Sequence, residues 1–396
     1  MIRLAPLLLA AAACAAPGSR DYVPGGHDLK KAVRAKYRDA VDLENKGKPE
    51  EALKVYDKLS ARYGTRLAFH LPRIRLTRQL KGRLAAAALY DPPPMGVGAD
   101  RAEIFVGLAT LAPDDFAGRR SLMEFAVVKE PEEAYWRLAV AELELQSHDV
   151  VVERAGREHA LGDVTPAEES FREARLILER AEEDAERALR LDPMLAAAQH
   201  MLGYIATRQA DIADYNLRDE WRKKAGAHYE RALRLDPEFV EARINQAENY
   251  LYFSQADKAI RDLRICTDMV PGQVLVWRNL GLALFRDGKV KQAARAYRRA
   301  LEIEPKSART RVALADCLRE LKDSEEAIAE LSQALEEAVD DGTLQADIAF
   351  KLAAIYEFAG EYAKAVEQYE RHVELEGKEA GKAKYRIRLI YDGAFD

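Results

Sequence analysis

Apolar side chains return along most of this chain at the three-to-four-residue spacing of one helix face, with charged residues filling the positions between. In one stretch Glu179, Arg180, Glu182, Glu183, Asp184, Glu186 and Arg187 recur at helical spacing, which predicts a solvated face stabilised by local ion pairs. Ala and Leu carry the apolar share, and Glu and Arg dominate the charged share. Long runs lack Gly, Pro and β-branched clusters, so helix is favoured almost throughout and no segment reads as a strand.

The helices repeat. ERALRLDPMLAAA from Glu186, ERALRLDPEFVEA from Glu230 and RRALEIEPKSART from Arg298 are versions of one string. Pro237, Pro271 and Pro305 recur at an interval of 34 residues, each just past a helical run that proline cannot continue. In the clearest unit, Trp277, Leu280, Gly281 and Leu284 lie on one helix and Ala293, Tyr297 and Ala300 on the next, ahead of Pro305. Gly281 and Ala293 lack bulk where two helices cross, Trp277 and Tyr297 fill space between repeats, and Asp287-Gly288-Lys289 supplies the turn.

This spacing resembles the tetratricopeptide repeat (TPR), W-x2-L-G-x2-Y, then A-x3-F, then P; Leu284 departs from it where the aromatic residue is usual. The resemblance implies an all-α fold, a right-handed superhelix (α-solenoid) of antiparallel helix pairs. The register extends to Ala247, Tyr250, Ala259 and Pro271, to Leu314, Ala315, Leu318 and Ala327, and, after four extra residues, to Leu352, Ala353, Tyr356, Ala365 and Tyr369. Four regular repeats are therefore expected over 240–379, and a capping helix over Ala380 to Tyr391 within 380–396.

Upstream the pattern loosens. Ala40, Leu43, Gly47, Ala52 and Tyr56 mark a degenerate repeat from Val33 to Arg66 inside a TPR-like region, 29–132. Leu67 to Lys129 does not fit the motif, and Pro92-Pro93-Pro94 with Gly96 and Gly98 interrupts it. Residues 133–239 read as irregular pairs with insertions: a polar loop from Ser147 to Thr165, and ten residues inserted between the helices around Asp211 to Trp221.

The first residues, MIRLAPLLLAAAACAAPG, place Arg3 before an apolar run and small residues before Cys14. That is the layout of a secretory signal over 1–13, with a Pro/Gly-rich tether over 14–28. It resembles a bacterial lipoprotein signal, which implies lipid on Cys14; Ala11 stands where that family usually has a larger aliphatic, and ordinary cleavage after an A-x-A triplet is the alternative. The run is short for a membrane span. Signal and repeats together resemble the TPR lipoproteins that help assemble outer-membrane machines, such as the pilotins of type IV pilus secretins. They imply a chain anchored to the outer membrane and facing the periplasm.

Charge and chemistry narrow the function. With 61 basic and 67 acidic residues intermixed and a net charge of −6, no broad basic face is expected, which disfavours nucleic acid as a partner. Seven histidines are scattered, without H-E-x-x-H, a Cys pair at metal spacing or a phosphate-binding loop. No metal, cofactor or catalytic site is expected. His148 and His159, with Asp149, Glu153 and Glu158, read as solvated loop polarity rather than a metal site. Cys266 and Cys317 are expected as small buried thiols, and Asp340-Asp341 as a helix cap.

The remaining candidate is a binding face. First helices of stacked pairs line a groove suited to a helix or an extended peptide. Projection at helical spacing places Glu241, Ile244, Glu248, Leu251, Tyr252, Leu275, Arg278, Leu282, Phe285, Arg286, Arg309, Val312, Asp316, Arg319, Glu320, Asp347, Phe350, Glu357 and Phe358 there. Glu248, Tyr252, Arg278, Phe285, Arg286, Arg309 and Arg319 are the candidate partner contacts, an Arg and aromatic mixture typical of interface anchors. The alternative is that Tyr252 and Phe285 pack between helices and that Arg278 and Arg286 pair with Glu248 and Asp316. The Lys-and-Asn clamp by which some TPR proteins grip a chaperone's C-terminal carboxylate is absent: Ile244 and Glu248, then Arg278 and Leu282, stand at its places. The sequence thus points to an envelope lipoprotein that scaffolds other proteins. Its rivals are a soluble cytoplasmic TPR scaffold and an enzyme or regulatory subunit with a pocket in 67–165.

Overall fold

A computed structural model describes residues 36, 39–40, 43–44, 48–63, 116–129, 131–132, 134–339 and 341–393. The signal, the tether, Cys14, His27, His70 and most of the segment from Leu67 lie outside the described residues. Fifteen helices and no strand occur among the described residues. The chain forms two compact units that meet between Asn249 and Tyr250.

The first unit contains α1 (Pro49–Tyr63), α2 (Phe116–Lys129), α3 (Ala134–Ala160), α4 (Val164–Leu191), α5 (Ala196–Ile212), α6 (Tyr215–Leu235) and most of α7 (Val240–Tyr252). α1 starts with Pro49, whose missing N–H costs nothing at a first helical position, and carries Glu50 and Glu51 where the helix dipole favours acid. Its Ala52 and Tyr56 are fully buried, and the Tyr56 hydroxyl donates to Glu44 at 2.8 Å.

The loop expected from Ser147 to Thr165 is helix, with only 161–163 turning between α3 and α4. Its valines and histidine masked a helical stripe: His148, Val151 and Ala155 are buried, and Val151 packs with Ala174 and Ile177 of α4. His148 is therefore not solvated, although His159 is exposed. The insertion around Asp211 to Trp221 is likewise no loop. It lengthens α5 and α6 to 17 and 21 residues, leaving a turn at 213–214. Asp184 also leaves its expected solvated face: it is buried against Arg137 at 3.2 Å, and burial holds its carboxyl above the usual range.

The second unit carries α8 (Ala256–Met269), α9 (Val274–Arg286), α10 (Val290–Ile303), α11 (Ala308–Glu320), α12 (Ser324–Glu337), α13 (Gly342–Phe358), α14 (Tyr362–Glu374) and α15 (Ala380–Tyr391). α9 packs on α10, α11 on α12 and α13 on α14, while each second helix also meets the next first helix. The crossing of α9 with α10 is close because Gly281 has no side chain: a Cβ there would stand 2.7 Å from Tyr297 Cε1. Ala293 and Ala300 are fully buried beside it.

The turns within pairs share one geometry. Ser254, Gly288, Lys322 and Gly360 all have left-handed backbone, with φ of 57°, 75°, 64° and 76°. The N–H of the following residue reaches back to the helix in each case, Gln255 to Tyr250, Lys289 to Leu284, Asp323 to Leu318 and Glu361 to Tyr356, at 2.8 to 2.9 Å. This is the Schellman closure, which satisfies a terminal carbonyl and releases the chain into the next helix. Asp341 caps α13 as expected, accepting from Leu344 N at 3.0 Å, and its carboxyl is held below the usual range by that backbone bond. Cys266 and Cys317 are buried thiols outside any disulfide, and burial raises Cys317 to about 12.

Candidate protein-binding face

Successive first helices are fixed by a bond that the sequence motif does not display. Trp277 Nε1 donates to the Pro271 carbonyl at 2.8 Å. One repeat later Arg311 donates to the Pro305 carbonyl at 2.8 Å, and one repeat earlier Arg243 donates to the Pro237 carbonyl. In these three repeats the tryptophan position of the motif thus holds an N–H donor that ties the first helix to the proline turn before it, and arginine makes the bond that tryptophan makes. Arg311 is further gripped by Glu330 at 2.7 Å and Glu337 at 2.9 Å on α12.

With those helices fixed, α9, α11 and α13 present their remaining faces side by side. Arg286 donates to the Leu251 carbonyl at 3.2 Å, and Arg309 pairs with Asp341 at 2.7 Å. Arg319 pairs with its neighbour Glu320 at 3.2 Å. Asp316 meets Lys351 of the next first helix at 2.5 Å, in place of the alternative pairing with Arg278 or Arg286. Arg278 makes no hydrogen bond or ion pair among the described residues. It lies close enough to Tyr297, with Arg286, to oppose the effect of burial, which raises that phenol.

Phe285 is half-buried, whereas Tyr252, its ring edge-on to that of Phe253, is 40% exposed. Glu248 belongs to the first unit and is half-buried. Ile244 and Leu251, which the helical projection placed on the groove, are core residues: a wide apolar stripe in α7 turns them inward. Phe358 is 84% exposed at the end of α13.

A cavity of about 230 Å³ lies between α11, α13 and the second helices α12 and α14. Asp316, Arg319, Asp347 and Phe350, which the projection placed on the groove, line it. Lys351, His372 and Glu379 line it too, and a projection of first helices alone could not find His372, which rises from α14 beneath them. No group of three or more His, Cys, Asp or Glu suited to a metal occurs among the described residues.

The Tetratricopeptide repeat family is matched twice, over residues 244–308 and 284–348. No curated protein matches the sequence. Among solved structures, the human IFIT1 dimer with m7Gppp-AAAA is 15% identical with a TM-score of 0.54, over 99% of this chain and 88% of that one. YrrB, described as a TPR protein with an unusual peptide-binding site, is 16% identical with a TM-score of 0.38, over 60% of this chain and 97% of its own. MamA from Desulfovibrio magneticus is 16% identical with a TM-score of 0.37, over 49% and 97%.

Proposed function

Because this chain is a tetratricopeptide-repeat protein, we propose that it is a cell-envelope scaffold that holds other proteins on the first-helix face of its second unit. The observation that carries this is the row α9, α11 and α13: Trp277 pins α9 and Arg311 pins α11 from behind, while Arg278 makes no hydrogen bond or ion pair among the described residues and Arg286, Arg309 and Arg319 are exposed in front. A rigid row of first helices with exposed arginine and aromatic groups suits an extended or helical segment, since little order has to be acquired on binding.

The anchoring part of the proposal rests on the order of residues before Cys14. Lipid on that cysteine holds the repeats at a membrane, with the Pro/Gly stretch as spacer, and the scaffold then serves assembly of an envelope complex. Mass spectrometry of the mature N-terminus tests this: a diacylated Cys14 is expected, and an intact Met1 or an unmodified Cys14 contradicts it. For the face, Arg278→Glu combined with Phe285→Ala should weaken partner capture in a cross-linking pull-down with the helical circular-dichroism signal unchanged. Undiminished capture moves the site elsewhere.

A further inference from the structure

We propose that the cavity between α11, α13 and α14 is a socket for a basic side chain, lysine or arginine, of the bound partner. This deepens the reading of the face as protein-binding and rests on it. The lining of the cavity includes His372, 1% exposed. Its Nδ1 lies 2.7 Å from the Ala346 carbonyl, which can only accept, so Nδ1 carries the proton of the bond. In the neutral ring Nε2 is then left as an acceptor, and it is buried without any hydrogen-bond partner. A buried acceptor of this kind is costly unless a donor is brought to it.

The charges around the opening favour a cationic donor. Of the two bases on the wall, Lys351 is neutralised by Asp316 at 2.5 Å and Arg319 is occupied by Glu320. Of the acids, Asp347 has no partner among the described residues, and Glu379 has only Lys382, at 3.9 Å. The uncommitted charge is therefore negative. Phe350 adds an aromatic wall, its centroid 5.0 Å from that of His372, and the Lys382 ammonium 5.4 Å from the same ring shows that the face accepts a cation. An incoming guanidinium or ammonium can satisfy Nε2 with one N–H while its charge sits between Asp347 and Glu379. A carboxylate would meet the charges of Asp347 and Glu379, with Lys351 and Arg319 already paired to Asp316 and Glu320.

The test is a nuclear magnetic resonance titration of the full chain labelled at histidine, whose seven rings keep the spectrum simple. N-acetyl-arginine methylamide should shift the His372 ring signals saturably. The neutral isostere, N-acetyl-citrulline methylamide, should bind about fivefold or more weakly, as should the arginine amide to Asp347→Asn/Glu379→Gln. N-acetyl-glutamate methylamide should leave His372 unmoved. Equal responses to arginine and citrulline, a stronger response to glutamate, or a His372 signal that none of the three moves overturns the socket. The titration uses no partner protein, so the socket can fail while partner capture by the face survives, and the reverse.

Discussion

The ring of Tyr297 occupies the place where a side chain on Gly281 would begin, 2.7 Å from an added Cβ, and Gly203 stands in the same relation to Tyr229 at 2.6 Å. Both glycines lie inside helices, where glycine is unfavourable relative to alanine by about 1 kcal/mol. That cost is borne because the crossing needs the space. Gly281→Ala should therefore destabilise by about 1–3 kcal/mol despite its better helix propensity. Gly156→Ala, in α3 with nothing within 4 Å of its Cβ, should stabilise by about 0.5–1 kcal/mol. Thermal unfolding followed by circular dichroism checks both; equal effects would show that Tyr297 yields freely.

Lys322 holds the left-handed turn that Gly288 holds one repeat earlier, with φ of 64° against 75°. A side chain strains this backbone by about 1–2 kcal/mol, and glycine removes the strain at some cost in unfolded-state entropy. Lys322→Gly should accordingly gain up to about 1 kcal/mol, and Ser254→Gly should gain too. A loss at both positions would mean that the turn is not left-handed in solution.

Arg311 is buried between Glu330 and Glu337. Arg311→Met leaves two neighbouring carboxylates without their cation and should cost about 3–5 kcal/mol at neutral pH. Adding Glu330→Gln and Glu337→Gln should recover much of that loss, because the repulsion disappears. If the triple variant is no more stable than Arg311→Met, the loss comes from the Pro305 carbonyl bond instead.

His200 is buried against Phe239 and accepts from Asn245 Nδ2 at 2.9 Å, and burial lowers its pKa to about 4. Its unfolded value is near 6.5, so the unfolded chain binds the proton first, and the stability carried by the neutral ring is lost as pH falls from about 6.5 towards 4. His200→Gln keeps an acceptor without a titration. Relative to that variant, the native chain should lose about 2–3 kcal/mol between pH 7 and pH 4 in urea denaturation. Parallel pH profiles would refute the assignment.

The repeats of the second unit were legible because Gly281, Tyr297 and the prolines are fixed by geometry that tolerates few substitutes. Where the motif position changed chemistry, the sequence concealed the equivalence: Arg243 and Arg311 make the same bond as Trp277, and no composition rule equates arginine with tryptophan. The stretch after Ser147 read as a loop because polar and β-branched residues outweighed a narrow stripe of His148, Val151 and Ala155. On the face, Arg319 and Phe350 were visible on first helices. His372 was hidden because it reaches the cavity from a second helix.

The central claim is that partners sit on the first-helix face of the second unit, and site-specific photo-crosslinking in cells tests it most directly. A photoreactive residue at Arg278 or Arg319 should trap a discrete protein adduct, whereas the same residue at Arg295 or Glu302, exposed on second helix α10, should not. Adducts from α10 with none from Arg278 and Arg319 would contradict the account.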